Sequence, residues 1–245
     1  MNFFDCNCAF GKSGRPPLRY AATPEELLVE MDFCGIDQAL VYHANQRFSS
    51  PATWNPVLSA EISSHSRLYG TWAFLPPSTG EMPEPEIILE EIRQGNIRAF
   101  RAFPQEHRYR LNRACLGWLY KFMVEHKIPL LVKENLWNIR ELLEECPDII
   151  VLAVNQGPHS LERYLRPLLD QFPRLHLETS AYMVDGLIEE FCERYGPARL
   201  LFGSGFPDNC SGAALMRLTA ADIGAEARAA IAGGNLRRLL AEVQL

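Results

Sequence analysis

The sequence predicts a single (β/α)8 TIM barrel, and three observations predict it. Eight short apolar runs recur along the chain, most gaps between them carry helical periodicity, and 245 residues is the length such a barrel takes. The runs are Asn2–Cys8, Gln38–His43, Leu68–Phe74, Ile97–Phe103, Pro129–Lys133, Ile149–Asn155, Leu175–Ser180 and Arg199–Ser204. Between the first two, Thr23-Pro24-Glu25-Glu26 joins an N-cap, a first-turn proline and a capping-box glutamate. Leu27, Leu28, Met31 and Cys34 then line one face, and Gly35 is placed to stop the helix. The stretches 85–94 and 186–195 end before Gly95 and Gly196 in the same way, and 115–126, 139–146 and 161–172 also read as helices. Strands alternating with helices imply parallel pairing through right-handed crossovers. An open doubly wound sheet is the alternative, but no Gly-rich phosphate turn follows the first run. No linker divides residues 1–245, which read as one domain.

Composition narrows the function. Apolar residues make up 47% and charged residues 22%, a globular balance. The net charge of −6, with no block of Lys or Arg, argues against nucleic acid and against an anionic membrane surface. No apolar run approaches the roughly 20 residues that cross a bilayer. Seven scattered cysteines fit reduced thiols, so the expected location is cytoplasmic. Homo-oligomerisation is left open.

Near the C-terminus, Leu200-Leu201-Phe202-Gly203-Ser204-Gly205-Phe206-Pro207 reads as a buried strand entering a Gly/Pro turn. A polar helical stretch and Ile231-Ala232-Gly233-Gly234-Asn235-Leu236-Arg237-Arg238-Leu239-Leu240 follow. This ensemble resembles the last strand and closing helices of the amidohydrolase superfamily, in its amidohydrolase-related, aminocarboxymuconate-semialdehyde decarboxylase-like branch. The resemblance implies a metal-dependent hydrolase-like barrel and a set of ligand positions. The family's first strand ends D-x-H-x-H-x-x-G, whereas this chain reads Asp5-Cys6-Asn7-Cys8-Ala9-Phe10-Gly11, placing the two histidines on Asn7 and Ala9. The fifth-strand histidine falls on Lys133, the sixth-strand one on Asn155, two before Gly157, and the aspartate of G-S-D-F-P on Gly205. All five positions depart from the pattern. The expectation is a degenerate site with no metal and no cofactor, since Lys and Ala cannot replace imidazole and Asn is a weak oxygen ligand.

Function in a (β/α)8 barrel sits at the C-terminal strand ends. Lys133, Glu178 and His107 are the candidate catalysts there, and Asn7, Arg101, Asn155 and His43 the candidate substrate-binding residues. Lys133 offers a fixed cation where the family has a metal ligand, or else a salt bridge to Glu178 or Asp5. Arg101 suits a bidentate carboxylate clamp, although alternation leaves open whether Arg98 or Arg101 faces inward. Glu178 and His107 are acid–base candidates, each with a structural alternative in a salt bridge or a loop position. Cys6, Cys8 and Cys210 with His43 form a rival thiolate site, which alternation opposes by turning Cys6 and Cys8 together toward the helices. Ser204 lies in no nucleophile elbow. Two functions follow as expectations. One is a hydrolase-like or decarboxylase-like enzyme acting on a small, anionic, carboxylated or cyclic molecule without metal. The other is a pseudoenzyme, a barrel that binds a small ligand or assembles without catalysis.

Overall fold

The computed structural model describes residues 1–14, 16–94, 96–156 and 162–244. Eight strands form one sheet in sequence order: β1 (Phe3–Phe10), β2 (Ile36–His43), β3 (Leu68–Ala73), β4 (Ile97–Ala102), β5 (Leu130–Val132), β6 (Val151–Ala153), β7 (Leu175–Glu178) and β8 (Leu200–Leu201). Each pairs in parallel with the next. Closure comes from the end of β8 against β1. Cys6 N–H donates to Phe202 O, Gly205 N–H to Asn7 O and Ala9 N–H to Phe206 O, each at 2.9 Å. The expected barrel is therefore the observed one, and no edge is left unpaired along this seam.

Alternation along the strands separates two cores. Val41, Phe100, Val132 and Ala153 face the helices, whereas Leu40, Ala99, Leu131, Leu152 and Leu201 fill the barrel. Leu236, Leu239 and Leu240 of the closing helix Asn235–Ala241 pack onto that inner cluster beside Phe4. Leu131 is fully buried, so truncating it to Ala would cost about 2–5 kcal/mol.

The helices follow their local signals. Thr23 caps Pro24–Cys34 by accepting the Glu26 N–H, the Glu26 carboxylate accepts the Ala22 N–H, and Gly35 ends the helix at φ 76°. The stretch read as one helix over 115–126 is two, Arg113–Leu116 and Leu119–Glu125. Gly117 lies between them at φ 54°. The helix expected from Ile139 begins a turn earlier, at Leu136, because the Asn135 side chain caps it by accepting the Asn138 N–H. The expected stop at Gly95, the start at Leu161 and the partner glycine Gly157 lie outside the described residues. No helix among the described residues is long and apolar enough to cross a membrane.

Candidate active site

Asn7 reaches the mouth through a bulge in β1. Asp5 pairs with Ala39 and Cys8 with Val41, so β1 uses three steps where β2 uses two. The extra residue breaks alternation: Cys6 joins the barrel interior and Cys8 the helix layer. The expectation that both cysteines face the helices is corrected by this bulge. Burial holds both thiols well above their ordinary range, so they stay protonated. Cys210 is exposed and His43 lies elsewhere, so the rival thiolate site is not assembled. Asp5, the acidic residue of the same motif, clasps the seam. Its Oδ1 accepts the N–H groups of Asn7 and Ser204, both at 2.9 Å.

Of the two β4 arginines, Arg101 is the inward one, two residues beyond the interior Ala99. Arg98 instead donates to the carbonyls of Ile92 and Ile97. Arg101 is 2% exposed. Its Nη1 donates to Asn7 Oδ1 at 3.0 Å and its Nε lies 3.4 Å from Thr71 Oγ1. The guanidinium carbon stands 4.3 Å from the centre of the Tyr42 ring, a cation–π contact in a desolvated setting. Among the described residues Nη2 is buried and has no hydrogen-bond partner.

From Asn7 the chain of contacts continues. Asn7 Nδ2 donates to Asn155 Oδ1 at 2.6 Å, and Asn155 N–H donates to Glu178 Oε1. Asn155 follows β6 at φ 56°, a conformation that Asn tolerates better than most residues, and this turns its backbone N–H toward β7. Glu178, at the end of β7, is fully buried. Ser180 Oγ donates to its Oε1 at 2.6 Å and Ser180 N–H to its Oε2 at 2.7 Å. Burial pushes the Glu178 carboxyl above its ordinary value, against the opposing pull of the Ser180 and Asn155 hydrogen bonds. A buried cation and a carboxyl leaning toward its protonated form thus stand at opposite ends of a bridge of two neutral amides.

Lys133, one residue past β5, pairs with neither Glu178 nor Asp5. Its Nζ lies 3.4 Å from Asp208 Oδ2, which is also 3.6 Å from Arg47 Nη1. Arg47 in turn donates from Nε to Glu106 Oε1 at 2.6 Å. Asp5 and Glu178 are buried and already held by N–H and O–H donors, whereas Asp208 sits at the half-exposed rim where an ammonium keeps its hydration.

The two histidines stay apart from this network. His43 stacks on Trp54 at 4.4 Å against Gly11, and burial lowers its pKa to about 4. His107 packs edge-on against Phe103, and burial lowers its pKa. The structure therefore brings together Asn7, Arg101, Asn155 and Glu178, sets Lys133 on the rim, and leaves His43 and His107 outside. Thr71 and Arg47 were not anticipated. Thr71 lies within β3 on the face of Tyr69, so only the strand's alternation could have marked it, whereas Arg47 follows β2 by four residues and strand-end position was its signal.

The family pattern implies a divalent metal at these strand ends. At the positions that pattern implies stand Asn7, Ala9, Lys133, Asn155 and Gly205, of which only the two asparagines carry an uncharged side-chain oxygen. Among the described residues no three His, Cys, Asp or Glu side chains are grouped to hold an ion, and Asn7 Oδ1 already accepts a guanidinium N–H. A second cation there would face Arg101 directly.

The amidohydrolase family model matches residues 11–241, nearly the whole chain. The chain belongs to the amidohydrolase family. Solved structures share its barrel fold over nearly the whole chain. An uncharacterised TIM-barrel protein from Bordetella bronchiseptica superposes with a TM-score of 0.74 at 17% identity, covering 99% of both chains. The 5-carboxyvanillate decarboxylase of Sphingomonas paucimobilis gives 0.75 at 13% identity, covering 98% of this chain and 99% of its own. A 2,6-dihydroxybenzoate decarboxylase complexed with 2,6-dihydroxybenzoate gives 0.75 at 15%, with the same coverage. No curated protein matches the chain.

Proposed function

We propose that this amidohydrolase barrel binds a small carboxylated ring compound at its C-terminal mouth without a metal, and that Arg101 takes the carboxylate. The observation that carries the reading is the buried Arg101 Nη2, which has no partner among the described residues while Nη1 and Nε are engaged. A buried donor left unsatisfied costs about 1–3 kcal/mol, more when charged, and a ligand oxygen would recover it. The Tyr42 ring beside the guanidinium suits a flat ligand. Fold relatives that act on carboxylated aromatic acids support the same class.

The chemistry is decarboxylase-like or hydrolase-like, with Glu178 as the acid. In a decarboxylation the ring–carboxylate bond breaks, CO2 leaves, and the electron pair left on carbon takes a proton. The Glu178 carboxyl, held toward its protonated form, supplies that proton, and solvent restores it. Lys133 at the rim adds positive charge against the anion in the transition state. A second reading, a barrel that binds without turnover, is favoured by one feature: both oxygens of Glu178 are already hydrogen-bonded.

Titration of the wild type, Arg101→Met and Glu178→Gln with 2,6-dihydroxybenzoate and benzoate, with product analysis, tests both. Expected are binding by the wild type, loss of binding in Arg101→Met, and binding without product in Glu178→Gln. Binding that survives in Arg101→Met removes the proposed clamp. Binding with no product from the wild type leaves the second reading.

A further inference from the structure

We propose that Lys133 and Arg47 form a separate anion site on the rim, which the chain keeps filled with its own Asp208 until an incoming oxyanion displaces it. It rests on the reading above for placing ligand traffic at this mouth, and it shares Lys133 with that reading but not Arg101.

Asp208 Oδ2 is the shared point, 3.4 Å from Lys133 Nζ and 3.6 Å from Arg47 Nη1. Charge-assisted hydrogen bonds are shorter than this, about 2.7–2.9 Å, so the carboxylate is held by the joint field of two cations and not by a tight contact. The side chains of Lys133, Asp208 and Arg47 are 36%, 46% and 20% exposed, where water screens the pairs and makes exchange cheap. Among the described residues, those two cations are the only partners of the Asp208 carboxylate.

The cations are placed independently of it. Arg47 is fixed by Glu106 at 2.6 Å and lies over the Phe48 ring at 5.0 Å. Lys133 directly follows β5, so its backbone is set by the barrel. Withdrawing Asp208 would leave two positioned cations against one acid, Glu106, in a chain whose overall charge is −6. That local reversal suits a small oxyanion, a carboxylate or a phosphate group. A cleft of about 60 Å³ opens beside it, lined by Ala9, Gly11, Ser13, Tyr42, Arg47 and Asp208 among others. Tyr42 both lines the cleft and carries the Arg101 guanidinium on its ring, so the rim site stands one side chain away from the buried cation.

The test is calorimetric titration at low salt with inorganic phosphate and with benzoate. The proteins are the wild type, Asp208→Asn, Asp208→Ala, Asp208→Asn/Lys133→Met and Arg101→Met, each checked by thermal melting. Both Asp208 variants should bind phosphate more tightly than the wild type, by up to about fivefold, the scale of one weak ion pair. The double variant should lose that gain, and Arg101→Met should keep wild-type phosphate affinity. Phosphate affinity unchanged in both Asp208 variants, or a gain that survives Lys133→Met, overturns the proposal. The two readings fail separately. Loss of benzoate binding in Arg101→Met with no Asp208 effect leaves only the clamp, and a phosphate gain with no benzoate binding leaves only the rim site.

Discussion

Gly203 leaves the room that Glu178 occupies: a Cβ built at Gly203 would overlap Oε2 of the buried carboxyl. The glycine is therefore part of the site. Gly203→Ala should displace Glu178 or strain the end of β8 and cost about 1–3 kcal/mol, the range of core overpacking. Urea denaturation measures it. The cost should shrink in a Glu178→Ala background, and an unchanged cost there would place the clash on Asn7, whose Cβ lies 3.3 Å away, and not on the carboxyl.

Placing at Gly205 the aspartate that the family resemblance implies should also destabilise. Gly205 has φ 69°, and a Cβ there would lie 2.5 Å from Asn209 Nδ2 and 3.0 Å from the Ser180 Cβ. Left-handed backbone alone costs an L-residue about 1–2 kcal/mol, before any overlap. Gly205→Asp is expected to lower the melting temperature, and Gly205→Ala should show most of the loss. A neutral effect of both would mean that the turn relaxes readily.

The barrel was legible because its signals are periodic and repeated: alternating strands, the Thr23–Glu26 cap and the Gly35 stop each act locally. The site was less so. Alternation misplaces Cys6, because a bulge is a register event between two strands, and neither strand announces it alone. Lys133 was expected to pair with Glu178 or Asp5, yet its partner is Asp208, 75 residues away in sequence and visible only once the last turn folds over the mouth. The helix Pro51–Ile62 goes unmarked in the sequence reading: Pro51 stands in its first turn, but Pro56 lies inside it. Arg101 over Arg98 needed the strand register, because β4 is buried on both faces.

Two buried histidines should make the fold acid-sensitive. Burial holds the folded pKa of both His43 and His176 at about 4, below the ordinary 6.5. The unfolded chain then binds more protons between these values, so the neutral rings' stabilisation is complete above pH 6.5 and is lost as pH falls through 4. Each histidine accounts for up to about 3 kcal/mol of this loss. Melting temperatures from pH 7.5 to 4.5 should fall less steeply in His43→Gln than in the wild type. Parallel curves would show that His43 gains a proton without penalty.

Glu178 should act in the opposite direction. Its folded pKa is raised by burial above the ordinary 4.5, so the folded state binds the extra proton. Stability from this group is therefore present below pH 4.5 and declines as pH rises through the folded value. Asp5, also raised by burial, contributes with the same sign and is common to both proteins compared. Glu178→Gln removes the ionising group while keeping a carbonyl oxygen to accept from Ser180 or Asn155. Its amide nitrogen meets a donor on the other side, so the variant starts with a fixed loss of about 1–3 kcal/mol. The informative quantity is the slope: the deficit of the variant should narrow as pH rises from 4 to 8 in urea titrations. A deficit constant across that range would mean that Glu178 ionises as freely in the barrel as in water. It would then be no proton donor at neutral pH, leaving a ligand-binding barrel without its proposed acid.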